Sequence, residues 1–197
     1  MLMFRETEVF AAYYAKLICK MIELDPNVSK MLICLSGQHE MVEDFSGFRN
    51  FFTLNFISKP IYNAYRLAAR LGEDLLLAEC GNENVFVVPT KTEDGSYAVL
   101  LSYSSEYFEE DLPETEETLS FAEDITGRTV TVWCIDKETT NPYRLYQKMG
   151  VETPNEEQLK LLREEGNMKP QQSFVAKAGD KISLRLTANC TYLVTVS

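Results

Sequence analysis

The sequence predicts a mixed α and β fold. Residues 1–72 supply the helix, strand and helix that end a (β/α)8 barrel, and residues 73–197 form an antiparallel β-sandwich decorated by two short helices. Three observations predict this. Apolar residues recur at helical spacing before Gly72 and at a spacing of two after it. Helix-starting residues stand in front of each helical stretch. Asp94-Gly95 separates two strand-like runs, the strongest short-range signal for a hairpin.

The first helix spans Thr7 to Leu24, with Phe10, Tyr14, Leu17, Ile18 and Met21 on its apolar side and Glu8, Lys16, Lys20 and Glu23 elsewhere. Asp25-Pro26-Asn27 ends it, and Lys30 to Leu35 has the length and apolar content of one strand. A loop from Ser36 to about Asn55 follows. Pro60 then opens a helix, because its missing N–H would have no helical partner at that position, and Gly72 supplies the stop after Leu71.

Beyond Gly72 the strands are Leu75 to Glu79, Val85 to Thr90, Tyr97 to Ser104 and Arg128 to Asp136. In the last of these Val130, Val132 and Cys134 share one face while Trp133 lies on the other. Two helices open at Asn141-Pro142 and at Thr153-Pro154, where Thr153 and Glu156 have capping-box spacing. Ser173 to Ala176, an Ala178-Gly179-Asp180 turn, Ile182 to Leu186 and Tyr192 to Val196 complete the β part.

With 45% hydrophobic and 25% charged residues the chain can bury a real core, and no apolar stretch is long enough to span a bilayer. No secretory leader is visible at Met1-Leu2-Met3-Phe4, so the expectation is a cytoplasmic protein with no membrane partner. A net charge of −11 argues against nucleic acid, whose phosphates need clustered Lys and Arg. Much of that charge is local. Glu106, Glu109, Glu110, Asp111, Glu114, Glu116, Glu117, Glu123 and Asp124 crowd a stretch that reads as a solvated loop, without the ligand pattern of a calcium site. Five widely spaced cysteines, Cys19, Cys34, Cys80, Cys134 and Cys190, indicate free buried thiols rather than a zinc site or disulfide framework.

Two blocks carry a family resemblance. One is Ser58-Lys59-Pro60-Ile61-Tyr62-Asn63-Ala64-Tyr65 closing at Arg70-Leu71-Gly72-Glu73-Asp74. The other is Ile135-Asp136-Lys137, Asn141-Pro142-Tyr143, Gln147-Lys148-Met149-Gly150, Thr153-Pro154 and Glu156-Glu157-Gln158-Leu159. They resemble the last barrel helix and the late β-sandwich of glycoside hydrolase family 39, which contains β-xylosidases and is related to the α-iduronidases. The resemblance runs from about Thr7 to the end and matches the tail of a longer retaining hydrolase. It implies that the acid/base and nucleophile glutamates follow barrel strands four and seven, upstream of Thr7, so no catalytic residue is expected here. The substrate-loop candidates are His39, Glu40, Glu43, Asp44 and Phe48, in the loop that shapes the sugar-binding mouth of the family. The loop departs from the family pattern. Its strand reads Met31-Leu32-Ile33-Cys34-Leu35 and its turn Phe45-Ser46-Gly47-Phe48, in place of a Trp and a His-Gly-Gly turn.

No cofactor or metal is expected: His39 stands alone, and neither a nucleophile elbow nor a phosphate loop occurs. Trp133, Tyr97, Tyr103, Tyr143 and Tyr146 read as packing residues, with a sugar-stacking platform as the alternative. Phe45, Phe48, Phe51, Phe52 and Phe56 need a cover. The expected function is a non-catalytic fragment with a structural or partner-binding role. Its cover would come from another polypeptide that supplies barrel strands, or from self-association. The alternatives are a subunit of a split β-xylosidase-type glycosidase and a carbohydrate-binding module.

Overall fold

The computed structural model describes residues 2–24, 43–107 and 111–197. The expected strand Lys30 to Leu35, with His39 and Glu40, lies outside the described residues. After a short 3-10 turn, Met3–Glu6, come α1 (Glu8–Leu24) and α2 (Pro60–Ala68). The strands are β1 (Asp74–Leu75), β2 (Val85–Lys91), β3 (Tyr97–Tyr103), β4 (Thr115–Leu119) and β5 (Thr129–Ile135). Helices α3 (Pro142–Met149) and α4 (Glu156–Gly166) follow, then β6 (Gln172–Val175), β7 (Ile182–Leu186) and β8 (Cys190–Val196). Six strands form an antiparallel sheet in the order β1-β2-β3-β8-β5-β6, and β4 and β7 pair as a second, smaller sheet.

The large sheet is covered on both faces. Val99, Leu101, Val130, Val132 and Val194 pack against Ile182, Leu184 and Leu186 of β7, while Phe86, Val88, Leu100, Trp133 and Leu193 pack against α1 and α2. This is why β3 is buried at every position and can be apolar almost throughout. The hairpin between β2 and β3 forms where Asp94-Gly95 predicts it. Gly95 takes φ +82°, and Asp94 Oδ1 accepts the Ser96 N–H at 3.0 Å.

Several elements differ from expectation for identifiable reasons. The acid-rich stretch contains a strand, β4, whose Thr115, Glu117 and Leu119 turn inward while Glu116 and Thr118 face water. The expected strand from Leu75 to Glu79 shrinks to Asp74–Leu75, leaving Leu77 fully exposed. Its partner β2 carries Pro89, whose carbonyl accepts from Leu76 but which has no N–H to return, so the ladder stops there. Helix α4 is capped two residues later than Thr153. Asn155 accepts from the Gln158 N–H at 3.0 Å and Gln158 Oε1 accepts from the Asn155 N–H at 2.9 Å, a reciprocal box that Thr153 and Glu156 do not make. On α1 the stripe against the sheet is centred on Ala11, Ala15 and Cys19, with Tyr14 and Ile18 beside them. These small residues let the helix come close enough for Ser102 Oγ to donate to the Ala12 carbonyl at 3.0 Å.

Helix α2 ends at Ala68, short of Leu71, and Gly72 serves a different purpose from a helix stop. A Cβ there would lie 2.4 Å from the Lys91 carbonyl oxygen, so the glycine is required by the close approach of two backbones. Gly72→Ala is therefore expected to cost about 1–3 kcal/mol in urea denaturation. Gly81→Ala, whose Cβ would meet nothing within 4 Å, should leave the midpoint unchanged.

Candidate functional site

The segment that carries the expected substrate-loop residues runs from Glu43 to the start of α2, and three elements hold it. Asp44 is used up internally: Oδ1 accepts the Asn55 N–H at 2.8 Å and Oδ2 the Asn55 side-chain amide at 2.7 Å. Phe45, in the left-handed region at φ 53°, is buried with its ring centroid 5.4 Å from Tyr143 and 5.0 Å from Tyr146 of α3. Gly47 also has positive φ, and a Cβ there would press on Leu2 and Met3. Glu43 is exposed and Phe48 half-buried.

Beneath this segment lies a polar cluster that the sequence did not announce. Glu6 and Glu8 are fully buried, as is Lys59 just before Pro60. Lys59 Nζ donates to Glu6 Oε1 at 2.7 Å, to the Phe48 carbonyl at 3.1 Å and to Asn50 Oδ1 at 2.5 Å. Glu6 Oε1 also accepts the Gly47 N–H at 2.6 Å, whereas Oε2 is buried without a hydrogen-bond partner. Glu8 grips Arg144 with both oxygens, 2.7 Å to Nη2 and 3.1 Å to Nε, and accepts from Asn141 Nδ2 at 2.8 Å. Read from sequence, Glu8 belonged with the outward polar residues of α1. Its partner stands 136 positions away, and no local pattern reports such a pair.

Burial pushes the Glu6 carboxyl above the ordinary glutamate range, against the pull of Lys59, and burial likewise pushes Lys59 down. The raised Glu6 value means that the fold binds this proton more tightly than the unfolded chain does. Its contribution to stability is full below the unfolded carboxyl range and declines as pH rises through the folded value. A raised carboxyl is a common mark of a general acid. Here, however, Glu6 has no exposed surface and Glu8 none, so neither reaches a substrate and both are consumed as ion-pair partners.

Other candidates disperse. Tyr97, Tyr103 and Trp133 are buried in the cores on the two faces of the sheet, with Arg70 stacked over Trp133 at 4.6 Å, and Tyr143 and Tyr146 pack on Phe45. These five therefore form no exposed platform. The loop phenylalanines largely find cover within the chain: Phe51 lies 4.8 Å from Tyr65 and Phe52 4.6 Å from Tyr62. Phe56 is the exception, 81% exposed at φ 58°. An open polar groove of about 800 Å³ includes Asp136, Lys137, Gln172 and Arg185, the last held by Glu114 at 2.6 and 2.7 Å. Among the described residues no group of three or more His, Cys, Asp or Glu is placed to hold a metal ion; Cys19, Cys134 and Cys190 are buried free thiols, whereas Cys80 is free but exposed, against the expectation of burial.

The family model "Glycosyl hydrolases family 39" matches residues 3–180. Among solved structures, a GH39 β-xylosidase from Caulobacter crescentus superposes with TM-score 0.73 at 19% identity, over 98% of this chain and 40% of that one. A bacterial orthologue of human α-L-iduronidase gives 0.79 at 18%, over 98% and 38%. A GH39 enzyme from Xanthomonas axonopodis pv. citri gives 0.69 at 16%, over 98% and 41%. The chain thus spans about two fifths of the length of these enzymes, and at such identity the likeness is one of fold. No curated protein matches.

Three substitutions test the energetics of this region. Arg144→Met keeps the side-chain stem but strands the buried Glu8 carboxylate, and should lower stability by about 3 kcal/mol. Arg163→Met, which removes a solvent-exposed bond to the Asn55 carbonyl, should cost under about 1 kcal/mol. Phe56→Gly should stabilise by about 1 kcal/mol, since glycine relieves the left-handed backbone and little apolar surface is lost. Thermal unfolding reads all three, and a clear loss of stability in Phe56→Gly would contradict the strain assigned to it.

Proposed function

The chain belongs to glycosyl hydrolases family 39, and from that premise we propose that it is the non-catalytic C-terminal part of a xylosidase-like glycosidase, with a structural or partner-binding role. The observation that carries this reading is the asymmetry of coverage. Nearly all of this chain, but only about two fifths of each relative, takes part in the match. A retaining glycosidase needs two carboxyl groups about 5 to 5.5 Å apart across the scissile bond. Of the described acids in and beneath the loop, Asp44 is committed to Asn55, Glu6 to Lys59 and Glu8 to Arg144, while Glu43 stands exposed at its edge.

The same coverage favours a second reading, a subunit of a split β-xylosidase-type enzyme whose remaining barrel strands and catalytic glutamates come from another polypeptide. In both readings the region from Glu43 to Lys59 borders the sugar-binding mouth of the complete enzyme, and the layered sheet is its rigid support.

The 197-residue chain alone should not hydrolyse an aryl β-xyloside above the rate seen with Glu43→Gln or Asp44→Asn. Turnover abolished by either substitution would refute the non-catalytic reading. Turnover that appears only on mixing with a polypeptide carrying the rest of a family 39 barrel would select the split enzyme.

A further inference from the structure

We propose that Glu6 and Lys59 form a buried strap that positions residues 47–50 and can be released without unfolding the sheet. This deepens the reading of that segment as the border of a sugar mouth, but its test reads amide exchange, so a failure of the hydrolase reading would leave it standing.

The segment is attached largely through side chains. Glu6 Oε1 accepts the Gly47 N–H, Lys59 Nζ donates to the Phe48 carbonyl and to Asn50 Oδ1, and Arg5 Nη1 donates to the Gly47 carbonyl at 3.3 Å. Residues 46–50 contain no helix or strand, so these side chains replace the ladder that secures other segments. Removing the ammonium would at one stroke break its bonds to Phe48 and Asn50 and leave the Glu6 carboxylate buried without its counter-ion.

The anchors are also separable from the core of the sheet. The apolar contacts of the segment, Phe45 and Ile57 with Leu159 and Leu162, form a cluster apart from the two that cover the faces of the large sheet. The segment carries a bulky residue at positive φ, Phe45, which the outside packing of Tyr143 and Tyr146 holds in place. A strained loop tied by a few buried polar bonds is a unit that opens below the cost of global unfolding. Lys59 is the N-cap residue of α2, and the Phe52–Ser58 bridge leads the chain back to it, so the rigid helix end sets where the ammonium points. Both residues are positioning residues: they act on the loop through Gly47, Phe48 and Asn50.

The test is native-state hydrogen exchange of the whole chain, with Leu100 and Leu193 amides as references for the sheet. In the unaltered protein the Gly47 amide should exchange through an opening with a much shallower urea dependence than Leu100 and Leu193; an equal dependence would overturn the proposal, and this arm needs no variant to fold. In the double variant Glu6→Leu/Lys59→Met no buried charge is left unpaired. Leu100 and Leu193 should then keep their protection while Gly47 exchange rises on the order of tenfold or more. Unchanged Gly47 protection, or a rise matched by the two references, would overturn it. Lys59→Arg, which keeps a cation at the site, should restore much of the Gly47 protection lost in Lys59→Met; equal exchange in the two single variants would count against the strap.

Discussion

The pairing of β3 with β8 carries the rest of the molecule, because both strands are covered from two sides at once. Leu100 and Leu193 point to α1 and α2, and their neighbours Val99 and Val194 point to β7 and the smaller sheet. A backbone buried on both faces can satisfy its N–H and C=O groups only through neighbouring strands, so β2 and β5 must flank the pair. Everything else attaches to this slab: the helices on one side, β4 and β7 on the other, and the loop from Glu43 to Lys59 at the end where α2 and α3 begin.

The chemistry of that loop is one of support. Two buried or half-buried ion pairs meet there, Glu6 with Lys59 and Glu8 with Arg144, and each pair crosses between elements distant in sequence. Ion pairs out of water gain little net stability after desolvation, but they are selective about geometry, since a misplaced partner leaves a bare charge. Such pairs suit a place where backbone without regular structure has to hold one position.

What could be read from sequence was what local chemistry decides. Pro60, Asn141-Pro142 and Asp94-Gly95 each fix backbone angles or cap donors within a few residues, and their helices and hairpin appear where expected. Strand β4 was hidden because half of it faces water, and the Glu residues suited to that face look like a solvated run. The cap of α4 was misplaced because Thr153 and Asn155 both satisfy a loose pattern, and only the reciprocal bond to Gln158 decides between them. Glu6 and Glu8 could not be recognised as buried: burial of a charge depends on a partner, and theirs stand 53 and 136 positions away. The family blocks around Lys59-Pro60 and Asn141-Pro142 were legible for a related reason, for they contain the cations and caps on which this distant pairing converges.

The double cover of the large sheet also bears on how such a chain can be divided and recombined. Gly72 marks a change of pattern, yet the residues before it include Ala11, Ala15, Ile61 and Leu67, which close over Phe86, Val88, Trp133 and Leu193 after it. A gene rearrangement that transplanted the strands alone would bare an aromatic and aliphatic sheet face. The two helices and the strands they cover form one packing unit, and insertions are better accommodated at the exposed chain around Leu77 and Gly81 than at the glycine that separates helix from strand.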